Sequence, residues 1–316
     1  MQEIKVKFRG VRGSHPVPHQ SFLKYGGNTS CVEIQAGGRL IILDAGTGII
    51  DLGRDLQKEH ILSGTDLYSR KSVDATLLLS HIHQDHIQGL QFFAPLFIPT
   101  TTLDVYGLPY PNKSLKENLS DVLFEKVFPV STDEIPSNFN IHDFQLKHIL
   151  IIKPDNTKVF IKSSEFNKYM HEDTREDDVI ISAHKTTAHP KNGSLCIKIE
   201  YKGKSIVYAT DKESYVGCDK KFIEFAHGAD LLIHDAQYTH QDYISPILPK
   251  QGFGHSTFNM AIETAKFAKA KRLVFFHFDP NYDDGILDML EKEFCFANEN
   301  TNGNFIFAKE NLEIII

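Results

Sequence analysis

Apolar positions along the chain change period several times, and each change marks an element. From Glu3 to Phe8, Ile4, Val6 and Phe8 alternate with Lys5 and Lys7, the period of a half-exposed strand. Glycines and Pro16 break the pattern across 9–16. Strands are expected at Thr29 to Gln35 and, after the Gly37-Gly38 turn, at Arg39 to Leu43. A helix is expected from Ile49 to about His60, then a buried strand at Ala75-Thr76-Leu77-Leu78-Leu79. Helical patterns follow at Ile87 to Phe97, which the prolines Pro95 and Pro99 end, and at Leu115 to Phe128, with a strand at Leu103 to Tyr106 between them.

The stretch 129–180 holds apolar runs at 147–152 and 158–162 and an acidic, exposed-looking run at 172–178. It reads as an insertion or cap on a single domain spanning 1–316. Beyond it, Ser194 to Tyr201 and Ser205 to Ala209 flank Lys202-Gly203-Lys204, which predicts a hairpin. A helix is expected at Cys218 to His227, a strand at Leu231 to Ile233, and a helix capped by Ser256 or Thr257. Strand Leu273 to Phe276, a helix at Gly285 to Phe296 and a closing hairpin of Asn304 to Ala308 with Leu312 to Ile316 complete the chain.

Several strands end in His or Asp as they enter a loop: Ser80 into His81, Ala209 before Asp211, Ile233 into His234, Phe276 into His277. Loops on a rigid scaffold are where binding and catalytic groups concentrate. The densest case is Ser80-His81-Ile82-His83-Gln84-Asp85-His86, with three imidazoles and a carboxylate at the end of a buried strand. In extended backbone His81 and His83 share a side and can share an ion. Asp85 and His86, past the turn, can address a second. Imidazole and carboxylate without thiolate suit zinc, manganese or iron. Asp44, before Gly46 and Gly48, can brace this loop.

Composition adds limits. The chain has 316 residues, 41% hydrophobic, with a formal charge of −7. It shows neither a membrane-length apolar run nor an extended Lys/Arg block, so neither a membrane nor a long nucleic-acid track is expected. Four scattered cysteines without a C-x-x-C pair, and no signal peptide, fit reduced thiols and a cytoplasmic location.

With these residues in view, the chain resembles the metallo-β-lactamase-fold hydrolases, from Asp44-Ala45-Gly46-Thr47-Gly48 through the His-x-His-x-Asp-His motif to His277. The resemblance implies an α/β fold, a four-layer αββα sandwich of two mixed sheets. It implies that His81, His83 and His189 hold one divalent ion, that Asp85, His86 and His277 hold another, and that Asp211 bridges them. His189-Pro190 before Ser194-Leu195 resembles the third histidine motif, with His184 the alternative. His86-Ile87-Gln88-Gly89-Leu90, His255-Ser256-Thr257 and His234-Asp235-Ala236 resemble the phosphodiesterase branch, which includes RNase Z. That match implies a catalytic pair, Asp235 and His255, beside Asp85. The stretches 11–16 and 25–31 resemble cyclic-nucleotide phosphodiesterase-like members.

The implied activity is hydrolysis of a small phosphodiester, such as a cyclic nucleotide, by a metal-bridging hydroxide, with zinc ahead of manganese or iron. An RNase Z-like RNA endonuclease and a thioester or lactone hydrolase are the alternatives. No Gly/Pro-rich, basic tRNA-binding arm is recognisable, which makes nucleic acid the less favoured partner; a homodimer is left open. His83 stands where di-iron redox members have Glu. No role falls to His15, His19, His60, His142, His148, His171, His227 or His240.

Overall fold

The computed structural model describes residues 3–124, 127–172, 176–215, 219–296 and 304–316. Two mixed sheets pack face to face. The first runs β15-β1-β2-β3-β4-β5-β6 and the second β14-β13-β12-β11-β10-β9-β7-β8. Their strands are β1 (Ile4–Gly10), β2 (Cys31–Ala36), β3 (Arg39–Leu43), β4 (Asp74–Leu78), β5 (Thr102–Gly107), β6 (Asn138–Asp143), β7 (His148–Ile152) and β8 (Lys158–Lys162). There follow β9 (Val179–Thr186), β10 (Ser194–Tyr201), β11 (Lys204–Ala209), β12 (Leu231–Asp235), β13 (Arg272–Phe276), β14 (Asn304–Phe307) and β15 (Glu313–Ile315).

The uninterrupted apolar runs have a simple cause: the central strands are covered on both faces. On β3, Ile41 and Leu43 face the core between the sheets, while Leu40 and Ile42 lie in a second cluster with Ile49 and Leu52 of α1 (Gly48–Leu62) and Leu115 and Leu119 of α3 (Leu115–Leu123). Phe222 of α5 (Lys220–Phe225) and Phe258 of α7 (Phe258–Ala268) join the core from the second sheet's side. This is the expected αββα arrangement, in which each central strand alternates side chains between two apolar layers.

Several expectations shift in detail. The helix expected over 87–97 is a single turn, α2 (Gln84–Ile87), followed by two 3-10 turns. Gly89 breaks it: its amide donates to the Ala45 carbonyl at 2.9 Å, and a Cβ there would sit 2.1 Å from the Gly46 oxygen. Contact with the Asp44–Gly48 loop outweighs helix continuation. α3, whose start is closed by a Ser114–Glu117 capping box, stops at Leu123. α5 starts after Asp219, while Cys218 lies outside the described residues. Thr257 caps α7, and α8 (Asp284–Glu291) passes into a π-helical turn at Lys292–Phe296.

The closing hairpin is overturned. β14 pairs parallel with β13 in the second sheet, and β15 pairs antiparallel with β1 in the first. Each sheet had an open edge at that end, and filling both satisfies more backbone than joining the two strands to each other. The stretch 129–180 supplies β6 to one sheet and β7, β8 and the start of β9 to the other. Within its acidic run, Asp178 is buried and takes an ion pair from Lys153 at 2.8 Å; 173–175 lie outside the described residues. No helix among the described residues is long and apolar enough to cross a membrane.

β3, β4, β5 and β6 run parallel, as do β11, β12, β13 and β14. β9, antiparallel to β10, points the same way as β11. The carboxyl ends of β3, β4, β9, β11, β12 and β13 therefore open into the loops that carry the site.

Candidate metal centre and active site

At three strand ends the backbone turns through the left-handed region at a non-glycine residue: Asp44 (φ 59), Asp211 (φ 51) and His277 (φ 65). Such conformations cost about 1–2 kcal/mol each for an L-residue and persist where the surroundings enforce them. Here they turn the chain sharply as it leaves β3, β11 and β13.

Two clusters result. His81, His83 and His189 bring one ligand-type atom each to within 4.8 Å of one another, and Asp85, His86, Asp211 and His277 do likewise. Asp211 stands between them. Its Oδ1 lies 3.6 Å from Nε2 of both His81 and His189, and its Oδ2 lies 3.0 Å from His86 Nε2 and 3.2 Å from His277 Nε2. Asp85 Oδ2 is 3.3 Å from His86 Nε2 and 3.1 Å from His277 Nε2.

The outer nitrogens of four rings are already engaged, which fixes what the inner ones offer. His86 Nδ1–H donates to Asp44 at 2.8 Å, His277 Nδ1–H to Gln237 Oε1 at 2.9 Å, and His189 Nδ1–H to the Gly254 carbonyl at 3.2 Å. Ser80 Oγ, which donates to Asp44, accepts from His81 Nδ1–H at 3.1 Å. Each ring then turns an Nε2 lone pair inward. His81 Nε2 is buried with no hydrogen-bond partner among the described residues, and His189 Nε2 lies 2.9 Å from His83 Nδ1. Buried lone pairs and carboxylates facing one another are costly unless a cation stands among them. These residues fit divalent metal ions.

The charge states agree. Burial, reinforced by neighbouring His86, holds the His81 pKa well below its ordinary value. Burial opposes the charge on Asp211, but His277, His86 and His81 outweigh it and keep the carboxyl well below the usual range. Burial likewise opposes a charged His86, yet Asp211, Asp85 and Asp44 raise its pKa well above normal.

Asp44 is the hub beneath the centre. Its carboxylate accepts from the Ser80 amide at 2.7 Å, and from Ser80 Oγ, His86 Nδ1 and Tyr208 Oη at 2.8 Å each. Asp44→Ala would leave these buried donors without an acceptor, and we expect a stability loss of about 3 kcal/mol or more. Urea unfolding of the variant measures it; an unchanged midpoint would remove the bracing role.

Beside the clusters, His255 Nδ1–H donates to Asp235 Oδ2 at 2.8 Å, and Asp235 also accepts from the amides of Lys212, Gln237 and Ser256. Burial works against a charged His255, but Asp235 prevails and its pKa is pushed up to about 9. The His255 ring stacks on His277 at 5.1 Å between centroids. Asp211, Asp235, His255 and His277 also converge within 4.8 Å as a third group. Gly254 links the parts: at φ +92 it accepts from His189, and a Cβ would lie 2.3 Å from His189 Nδ1, so only glycine fits.

All nine residues singled out in the sequence thus gather at one edge. His184 does not: on β9 it packs against Phe222 and Phe225 and pairs with Asp219 at 3.3 Å. His234, buried behind the strand end, has its pKa lowered to about 4 by burial and by Lys212. Sequence reading missed Gln237, Tyr208 and Ser14, whose amide donates to Asp85 at 2.7 Å. Gln237 had one signal, its place two residues beyond Asp235.

A family model described as a β-lactamase superfamily domain matches residues 39–278. The chain is 27% identical over 297 residues to the Ribonuclease Z of Picrophilus torridus, covering 89% of this chain and 87% of that one. Among solved structures, the metallo-β-lactamase fold protein YhfI from Bacillus subtilis matches with a TM-score of 0.63 at 21% identity, covering 100% of each chain. The short form of human tRNase Z matches with a TM-score of 0.55 at 19% identity, covering 98% of each. With the family model spanning well over half of its length, this chain belongs to the β-lactamase superfamily.

Proposed function

We propose that the chain is a metal-dependent hydrolase of phosphodiesters, acting by preference on small diesters and holding two divalent ions, zinc first. The observation that carries the reading is Asp211, one oxygen turned to each cluster, with the Asp235–His255 pair beside it. His81, His83 and His189 would hold one ion; Asp85, His86 and His277 the other; Asp211 both. Bound there, such ions lower the pKa of water towards neutrality and offset charge developing on a phosphoryl group.

The chain's own groups supply the rest. Asp85 spends Oδ2 on His86, His277 and the Ser14 amide, which leaves Oδ1 to orient the attacking water. His255, with Nδ1 committed to Asp235, keeps Nε2–H for the substrate. It donates that proton to the leaving oxygen, and Asp235 holds the ring in the tautomer that can do so. A carboxylate–imidazole pair beyond the ligand set suits a poor alkoxide leaving group more than a lactone or thioester.

A second reading, cleavage of RNA, has its own support in the Ribonuclease Z relatives. The formal charge of −7 weighs against it. We expect about two ions per chain on elemental analysis, and turnover of bis(p-nitrophenyl) phosphate above lactone and thioester panels. Well under one ion after metal supplementation would defeat the dinuclear model. Efficient cleavage of precursor tRNA, with no turnover of cyclic nucleotides or aryl diesters, would replace the small-diester reading by the nuclease one.

A further inference from the structure

The rim next to His255 carries a cation, a buried ring and one exposed ring, Phe253, that the mechanism above does not use. Lys250 Nζ lies 5.5 Å from the centroid of Tyr238 and 5.5 Å from that of Phe253, and Tyr238 in turn meets the His255 ring edge-on at 6.0 Å. Phe253 is 47% exposed although it adjoins Gly254, which is bonded to His189. Lys250 forms no ion pair with a carboxylate among the described residues, in a chain whose acidic groups outnumber its basic ones by 41 to 34.

This turn is anchored. The Phe253 amide donates to the Lys250 carbonyl at 3.1 Å, and the buried Glu213 carboxylate accepts from the amides of Gly252 at 2.9 Å and Gly254 at 3.0 Å and from Tyr243 Oη at 2.5 Å. A buried carboxylate spent on two backbone amides holds the backbone that carries Lys250 and Phe253 in place, next in the chain to the proton donor's loop.

We propose that the turn 250–253 recognises the leaving side of the substrate, with the Phe253 face stacking on a nucleobase and the Lys250 ammonium taking a further phosphate. The preferred substrates are then diesters with a nucleotide on the leaving oxygen. This rests on the phosphodiesterase reading with His255 as proton donor: what lies one ring beyond the donor meets the group that receives the proton. An aromatic face accepts any base, and an ammonium held over rings still lacks the anion that its charge calls for.

The test uses three probes on the metal-loaded protein: the methyl ester of a nucleotide, a dinucleoside monophosphate, and that dinucleotide carrying a terminal phosphate on its leaving nucleoside. Phe253→Ala is expected to raise KM about ten-fold or more on the two dinucleotides and to leave the methyl ester unchanged, with Phe253→Tyr restoring binding. Lys250→Gln is expected to raise KM only on the terminally phosphorylated probe, with Lys250→Arg restoring it. Equal losses on all three probes, or none, overturn the inference while the activity stands. Failure of the wild-type protein to cleave any of the probes, or bis(p-nitrophenyl) phosphate, overturns the phosphodiesterase reading itself.

Discussion

Asp211→Ala should bring metal content from about two ions per chain to below one and slow diester hydrolysis on the order of 10³-fold or more, because it removes charge from both clusters at once. The carboxylate is 2% exposed and meets two imidazole Nε2 atoms with each oxygen. Alanine also inherits a φ of 51, which asparagine tolerates better. Asp211→Asn is therefore the cleaner variant: it keeps the turn and an oxygen donor and gives up the charge. Elemental analysis and the metal dependence of thermal unfolding report the result, since an ion bound only by the folded state raises its stability. Two tightly held ions in Asp211→Asn would mean that the carboxylate's charge is not what retains them.

His255→Ala should leave metal content unchanged while costing on the order of 10²–10⁴ in rate on alkyl diesters, the range of general acid catalysis. On an aryl diester the loss should be much smaller, because p-nitrophenolate departs without a proton. The structure sharpens this test. His255 belongs to a group with Asp211, Asp235 and His277 that has the spacing of a metal site. Its Nδ1, however, is bonded to Asp235 at 2.8 Å and stands 3.9 Å from Asp211 Oδ1. Asp235→Asn should show the same leaving-group dependence more mildly, since it weakens the orientation and charge of the ring without removing it. Equal losses on alkyl and aryl substrates would leave His255 only a phosphate-binding role, and loss of metal would move it among the ligands.

Much of this site was legible because its densest part is local. His81, His83, Asp85 and His86 lie within six residues after a strand whose apolar run marks it as buried, so their closeness follows from chain spacing, with His81 and His83 in the extended stretch beyond β4 and Asp85 and His86 on the turn of α2. The period-two and period-3.6 patterns likewise place the β3, β4 and β11 strands and α1, because burial on one face or two dictates which positions are apolar. Boundaries failed where a tertiary contact competed with a local preference. Gly89 ends α2 to reach Ala45, and the last two strands part company because each fills a different sheet edge.

Local patterns determine which residues form strands, which loops carry imidazoles and carboxylates, and that metal chemistry belongs at the ends of the strands. Tertiary structure alone decides that His189 meets His83 across 106 residues while His184 turns outward, and that His277 meets Asp85 across 192. It alone sets Asp211 between the clusters and places Glu213 under the turn that carries Lys250. The reason is physical: hydrophobic period reports how a segment is buried but not against what. Which strand ends share an edge, and which side chains the left-handed turns at Asp44, Asp211 and His277 aim inward, are settled only when both sheets close on the common core.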